Sequence, residues 1–429
     1  MSVPAPQSPA PVTSRLLGSV AEELAALAAT VGDTGVAARL ERATVLLDWV
    51  RGRLDADEET VAGMAREVTR LTHSVDEEGT APLSAAVHRL LAADRTTRSG
   101  QSDATDQPPS DQPLTPAEVT GYLRTLRPGS GDEAHDVRAI LGGYSKRTLL
   151  VSATIDGILQ DIVLRQIPAG RRARALQPEF EVVKAVHGAG LPVPEPLWIE
   201  PDDNALGGAF FVTRRAPGRN VGDVWGAGTV SKDVCLEVAS IYARLHRLDP
   251  AGITTPVSPR GTSAELHEMI DWQEATLAKR GIVVEPVLAA LLSWLRAHVP
   301  EASPRRSLLH GDAAFSNLLI QDDQVTAVLD WEAAHIGNPA EELAYLRPSV
   351  EPVLPWEDFL DRYTASGGAA PAPPAMRFFE VWAHVWRHIG CLWLAQNYDV
   401  SGRYASAVAA YAHGPRFLSQ AVTAAFGTP

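Results

Sequence analysis

The sequence predicts an α+β chain in three parts: a small all-α helical bundle, then a small β-rich lobe, then a larger helical lobe. Three observations carry that expectation. Apolar residues recur at spacings of three and four from Ser14 to about Ala93, the signature of amphipathic helices. A polar, proline-rich stretch, RSGQSDATDQPPSDQP at 98–113, then breaks every periodicity and reads as a linker. Beyond it, two β-rich runs joined across Asp156-Gly157, a strong hairpin dipeptide, give way to a mostly helical pattern.

In chain order, residues 1–13 are rich in Pro, Ala and Ser and are expected to be disordered. Residues 14–97 carry four apolar sets, beginning Leu17, Val20, Leu24, Leu27 and Val31, separated by turn-like GDTG, DADEE and DEEGTAP. They read as an antiparallel bundle. His73 and His88 stand alone in it, with no catalytic constellation around them. After the linker, 98–114, a main domain is expected over 115–429, its smaller lobe about 115–218 and its larger lobe about 219–429. Thr115, Pro116 and Glu118 form a capping-box start to the helix TPAEVTGYLRTL. The hairpin GGYSKRTLLVSATIDGILQDIVLRQIP follows, then the helix QPEFEVVKAVHGAG, the loop LPVPEPL and the short strand GGAFFVTRRAPG. Helices such as DVCLEVASIYARLHRL and EPVLAALLSWLRAHV fill most of the rest. A β-rich lobe followed by a helical one implies a cleft between them.

Composition removes several classes of function. A net charge of −14 argues against nucleic acid as the main partner, because phosphate backbones need a basic surface. No apolar run reaches the length of a membrane span, and MSVPAPQSPAPVTS lacks the basic and apolar regions of a secretory signal. With only Cys235 and Cys391, neither a disulfide framework nor a cysteine zinc site is expected, and a reducing cytoplasm fits. Lysine is confined to Lys146, Lys184, Lys232 and Lys279.

The chemistry concentrates in SLLHGDAAFSNLLI, 307–320, where polar groups sit between two apolar runs. After Asn317 the chain reads LLI, then QDDQ, then VTAVLDWE. Two short strands joined by a turn would return Asp330 to the neighbourhood of Asp312 and Asn317. A carboxylate and an amide oxygen suit a hard cation such as Mg²⁺. The remaining carboxylate, Asp312, would then face a substrate hydroxyl, the layout of phosphoryl transfer.

The combination His310-Gly311-Asp312-x₄-Asn317 followed by Asp330-Trp331-Glu332 resembles the motif pair of the aminoglycoside phosphotransferase and choline kinase superfamily, relatives of protein kinases. The resemblance covers roughly 115–429 and implies a bilobal protein-kinase-like fold. It implies Asp312 as the catalytic aspartate, Asn317 and Asp330 as metal ligands, and ATP (or another nucleoside triphosphate) with Mg²⁺ as cofactors. GGYSKRT is similar to the family's nucleotide-covering loop, which points to Gly142, Gly143 and Ser145 as nucleotide-binding. In IVLRQIP, Arg165 stands where the family often has a phosphate-binding lysine, and Glu179 matches the helix glutamate that pairs with that cation. In AHIGNPAEELAYL, Asn338 and Glu342 replace the usual aspartates, which predicts a shifted supporting contact.

The resemblance is strongest to the branch associated with acyl-CoA dehydrogenases. It implies an ATP-dependent small-molecule kinase passing the γ-phosphoryl group to a hydroxyl, with a hydroxyacyl-CoA as one candidate acceptor. Phosphorylation of an aminoglycoside or another antibiotic is the alternative, and a nucleotide-binding pseudokinase scaffold is an alternative of a different class. A small hydroxylated molecule is the expected partner, with neither nucleic acid nor membrane. The bundle is expected to contact the kinase lobe or a second subunit. Trp382, Trp386 and Trp393, at helical spacing, read as packing, and His384 and His388 lack a third metal ligand nearby.

Overall fold

The computed structural model describes residues 114–427 apart from 141–145, 169–175, 203, 222–229, 283, 302–305 and 397–403. The expected tail, helical bundle and linker up to 113 lie outside the described residues, as do Gly142, Gly143 and Ser145. The described residues fall into two units, one of 114–265 with 300–376 and one of 266–299 with 377–427.

The first unit opens with α1 (Pro116–Leu126), whose start is the capping box expected from sequence. The Thr115 hydroxyl accepts from the Glu118 backbone N–H at 3.3 Å, and the Glu118 carboxylate accepts from the Thr115 N–H at 2.7 Å. A five-stranded antiparallel sheet follows, built from β1 (Glu133–Ile140), β2 (Arg147–Ile155), β3 (Ile158–Pro168), β4 (Pro196–Glu200) and β5 (Gly208–Arg214) in the order β1-β2-β3-β5-β4. Asp156 and Gly157 both take positive φ, 53° and 76°, the two-residue turn that matches the twist of β2 and β3. Between β3 and β4 lies α2 (Leu176–Gly188).

The sequence reading missed β1 and β4, and the reason is physical. Both are edge strands. β1 buries only Ala134 and leaves most of its length exposed or half-exposed, while every residue of β4 is half-buried. Neither shows the alternation that a half-buried strand presents. By contrast β2, read correctly, buries every second residue, Leu149, Val151, Ala153 and Ile155.

The rest of this unit is mostly helical: α3 (Lys232–Leu245), α6 (Pro339–Val350) and α7 (Trp356–Ala365). Ser231 caps α3, accepting from Val234 N–H at 3.1 Å, and the apolar face of α3 packs against α7. Tyr242, Phe359 and Tyr363 are fully buried in the shared core. Short strands thread through it. β6 (Arg219–Asn220), β8 (Leu318–Gln321) and β9 (Gln324–Val328) form one ladder, and β7 (Ser307–Leu309) pairs with β10 (His335–Gly337) in another.

The second unit holds most of α4 (Ser263–Lys279), all of α5 (Pro286–Ala297), most of α8 (Pro373–Gln396) and α9 (Tyr404–Phe426). Its buried residues include Leu288, Leu291, Leu292 and Leu295 of α5 and Phe378, Phe379, Val381 and Val385 of α8. The tryptophans of α8 pack on one another, Trp382 to Trp386 at 6.0 Å and Trp386 to Trp393 at 5.6 Å between ring centres. Burial, helped by Arg387 and Arg416, pushes the His384 imidazole down to about 3. His388 Nδ1 donates to Gly414 O at 2.9 Å. Among the described residues no group of three or more His, Cys, Asp or Glu side chains could hold a metal ion, and no helix is long and apolar enough to cross a membrane.

Phe210, fully buried on β5, meets Tyr122 of α1 edge-to-face at 5.3 Å. Truncation there removes the contact that clamps α1 to the sheet and leaves a cavity. Phe210→Ala should therefore cost about 3–5 kcal/mol, seen as a lowered midpoint of urea denaturation.

Candidate active site

The site grows from β7, whose three residues are fully buried. The chain leaves it through His310, Gly311 and Asp312. Gly311 has φ 81°, and a Cβ on it would lie 2.1 Å from the Ala333 carbonyl oxygen. Only glycine lets the two loops approach this closely. A 3₁₀ turn, Phe315–Asn317, leads into β8, and Asp322 and Asp323, both at positive φ, turn the chain into β9. Leu318 pairs with Val328, and Leu329 N–H donates to Asn317 O at 2.8 Å. The hairpin therefore brings Asp330 back beside the first loop, as the spacing implied. Asp330 itself is left-handed, at φ 70° and ψ 61°.

Buried hydrogen bonds fix these loops. His310 Nε2 donates to Leu329 O at 2.7 Å while its Nδ1 accepts from the Asp312 N–H at 3.2 Å, which sets the tautomer. The Trp331 ring meets the imidazole edge-to-face at 4.6 Å. Glu342 of α6 accepts from His310 N–H at 3.0 Å and Gly311 N–H at 2.8 Å, and also from His246 Nε2 at 3.0 Å. Burial pushes the Glu342 carboxyl up, but the His246 hydrogen bond, then His310 and its backbone N–H, more than offset this and hold it below the usual range. Tyr363 O–H donates to His246 Nδ1 at 2.8 Å, extending the network to α7. Asn338, the other departure from the family pattern, caps α6 by accepting from Ala340 N–H at 3.0 Å.

Asp312 is held on both oxygens. The Tyr345 hydroxyl donates to Oδ1 at 2.9 Å, and Asn317 Nδ2 donates to Oδ2 at 2.9 Å and to the Asp312 carbonyl at 2.8 Å. With both amide hydrogens of Asn317 used in this way, its Oδ1 is the atom left for a cation. Burial raises the Asp312 carboxyl above its ordinary value, and His310, Tyr345 and Asn317 hold it down only in part. For Asp330 the balance is reversed. Burial works against its charge, yet Arg165 first and Lys146 next keep its carboxyl below the usual range.

The cations come from the sheet. Arg165 on β3 stands opposite Thr148 on β2 and ion-pairs with Asp330. Lys146, just before β2, is buried between Glu179 of α2, at 2.8 Å, and Glu332, to which it also ion-pairs. Against the opposing push of burial, these two carboxylates hold its ammonium above the ordinary value. This corrects one expectation: the partner of Glu179 in direct contact is Lys146, and Arg165 goes to Asp330. Asp312, Asn317, Asp330, Arg165 and Glu179 are thus brought together. Sequence reasoning missed Lys146, Glu332 and Tyr345 as members of the site. The available signal for Lys146 was its rarity, one of four lysines, placed within the loop motif GGYSKRT itself.

Behind the loops, Glu341 accepts from His335 Nε2 and Arg260, both at 3.1 Å, and His335 Nδ1 bonds Ala333 O at 2.9 Å. Buried Glu341 and His335, with half-buried Arg260, set the strand against which Gly311 presses.

The Phosphotransferase enzyme family matches over residues 136–379, more than half of the chain and all of the site just described. The chain belongs to that family. It is a phosphotransferase. Among curated proteins, mouse acyl-CoA dehydrogenase family member 11 is 28% identical over 239 residues, 53% of this chain and 30% of that protein. The chicken protein of the same name is 30% identical over 193 residues, 43% of this chain and 25% of its own length. The chain thus spans less than a third of these relatives. Among solved structures, a Ralstonia eutropha protein assigned to the aminoglycoside phosphotransferases superposes with a TM-score of 0.57 at 19% identity, covering 72% of this chain and 97% of that one. Macrolide 2'-phosphotransferase type I gives 0.51 at 20% identity, covering 70% and 98%. The GDP complex of aminoglycoside 2'-phosphotransferase-IIIa gives 0.50 at 17%, covering 72% and 99%. These likenesses show the fold, and it is the kinase-like α+β fold that the motifs implied.

Two predictions follow from the buried carboxylates. Glu342→Gln places an amide N–H₂ against a backbone N–H, so it should lower stability by about 1–3 kcal/mol. It should also cut turnover on the order of 10²-fold by shifting the loop, whereas Glu342→Asp should keep more of both in parallel denaturation and rate measurements. Burial alone would raise the Glu341 carboxyl, but His335 and then Arg260 bring it down to about 2 from an ordinary 4.5. The unfolded chain therefore takes up the proton first as pH falls. The stabilisation, roughly 3 kcal/mol, is complete above about pH 5 and is lost on the way down to about pH 2. Urea midpoints measured from pH 6 to pH 3 should fall more steeply for the native chain than for Glu341→Gln.

Proposed function

We propose that this phosphotransferase moves the γ-phosphoryl group of ATP, or of another nucleoside triphosphate, to the hydroxyl of a small molecule, with Asp312 as the base. The observation that carries the reading is the Asp312 carboxylate, pinned by Tyr345 and Asn317 beside Asp330. In the reaction, Asp312 accepts the hydroxyl proton as the new O–P bond forms and the bond to the leaving nucleoside diphosphate breaks. Arg165 and Lys146 supply positive charge for the nucleotide phosphates, and Arg165 can meet them bidentately. The Asp330 carboxylate and the Asn317 amide oxygen are hard oxygen donors of the kind that Mg²⁺ takes alongside phosphates and water. When bound there, Mg²⁺ would neutralise charge on the phosphate oxygens.

A hydroxyacyl-CoA is the acceptor class we favour. The support is the similarity to acyl-CoA dehydrogenase family members, since a phosphotransferase joined to such chemistry would turn a poor leaving group, hydroxyl, into a good one. The aminoglycoside and macrolide enzymes share the fold at identities of 20% or less and say little of the acceptor. Nucleotide turnover measured against hydroxyacyl-CoAs, aminoglycosides and macrolides tests both levels of the reading. ADP release should depend on a hydroxyacyl-CoA, and Asp312→Asn should lower kcat roughly 10²–10⁴-fold with nucleotide affinity little changed. Near-native turnover by that variant would refute the role of Asp312. Release driven by an aminoglycoside alone would refute the acceptor class.

A further inference from the structure

Among the described residues, both cations of the site, Lys146 and Arg165, are engaged by carboxylates. Lys146 is held by Glu179 and Glu332, and Arg165 by Asp330, with a second guanidinium nitrogen 3.4 Å from Thr148 Oγ1. Strand register fixes this arrangement, because Thr148 and Arg165 are direct partners across β2 and β3. The Arg165 and Asp330 side chains keep 20% and 34% of their exposure, so the pair is screened only in part. Asp330 is also the one carboxylate of the candidate metal site. The guanidinium therefore sits where a metal ion would act.

We propose that Arg165 is a stand-in for the metal on Asp330, so that the divalent cation enters only together with the nucleotide. The proposal rests on the phosphotransferase reading above and adds an order to it. A divalent ion arriving alone must displace the guanidinium and strand it, half-buried, without an anion. A triphosphate arriving alone finds its cation engaged and meets the negative charge of Asp330 and Asp312. When both arrive, partners are exchanged. The metal takes Asp330, the phosphates take Arg165, and every charge stays paired. The strong distance dependence of ion-pair energies in a poorly screened site makes this exchange decisive. Lys146 is a weaker candidate for the same role, because its contacts are to Glu179 and Glu332 and not to Asp330.

The test is metal binding by the full chain without nucleotide, using Mn²⁺ followed by electron paramagnetic resonance. Arg165→Met, close in length and uncharged, should bind Mn²⁺ at least about tenfold more tightly than the native chain. The double variant Arg165→Met with Asp330→Asn should lose that gain. Arg165→Gln serves if the methionine variant fails to fold, as judged by circular dichroism. Equal Mn²⁺ affinity in native and Arg165 variants overturns the proposal, and so does a gain that survives Asp330→Asn. Calorimetry of the native chain with Mg²⁺ and ADP separates the two levels. Absence of binding there defeats the phosphotransferase site itself, whereas binding there with no gain in the Arg165 variants defeats only the stand-in role.

Discussion

The Glu342 carboxylate organises the loop that carries His310, Gly311 and Asp312. It is a buried anion, and burial of an isolated carboxylate is costly. Three donors meet it: the backbone N–H groups of His310 and Gly311 and the imidazole of His246. Because two of them are main-chain groups, the carboxylate fixes the path of the loop itself and not merely a side chain on it. Gly311 then has room for no Cβ against Ala333, and Asp312 follows at a defined place. His246 and Tyr363 continue the same network into α7, so helix packing and loop geometry are coupled.

A second constraint ties the sheet to the hairpin. Neither Arg165 nor Lys146 lies near its partner in sequence: Arg165 is 165 residues from Asp330 and Lys146 is 186 from Glu332. Strand pairing supplies the alignment that local sequence cannot. The left-handed backbone at Asp330 is the kind of local strain that surrounding structure must over-determine, and here two hydrogen-bonded loops and an ion pair do so.

How far the sequence was legible follows from these distances. The α1 capping box, the Asp156-Gly157 turn, the β8–β9 hairpin and the convergence of Asp312, Asn317 and Asp330 all depend on residues within about twenty positions of one another, and each could be read directly. The edge strands β1 and β4 were invisible because exposure erases their alternation. The partner of Glu179 was misassigned because strand β3 offers Arg165 at the expected position, while Lys146 reaches the same carboxylate from the start of β2. Tyr345 was missed for a different reason. A tyrosine three residues beyond Glu342 on a helix is ordinary core in sequence, and only the fold reveals that its hydroxyl ends on Asp312.

The fold places the site's two aspartates in opposite electrostatic environments. Both are close to the same loops, and both suffer burial. Asp330 faces Arg165 and Lys146, so its charge is secured and its proton affinity is low, as suits a group that would hold a cation. Asp312 is held down by His310 first and then by Tyr345 and Asn317, with no guanidinium or ammonium against it, so burial prevails and its proton affinity rises. A carboxylate of raised proton affinity is the better acceptor for a hydroxyl proton, provided it still ionises at working pH. Its two hydrogen bonds favour the ionised form and also fix the rotamer, so the carboxylate keeps one orientation. In the proposed reaction, exchanging the environments of the two residues would leave the proposed metal ligand without its charge and the proposed base too weak to take the proton.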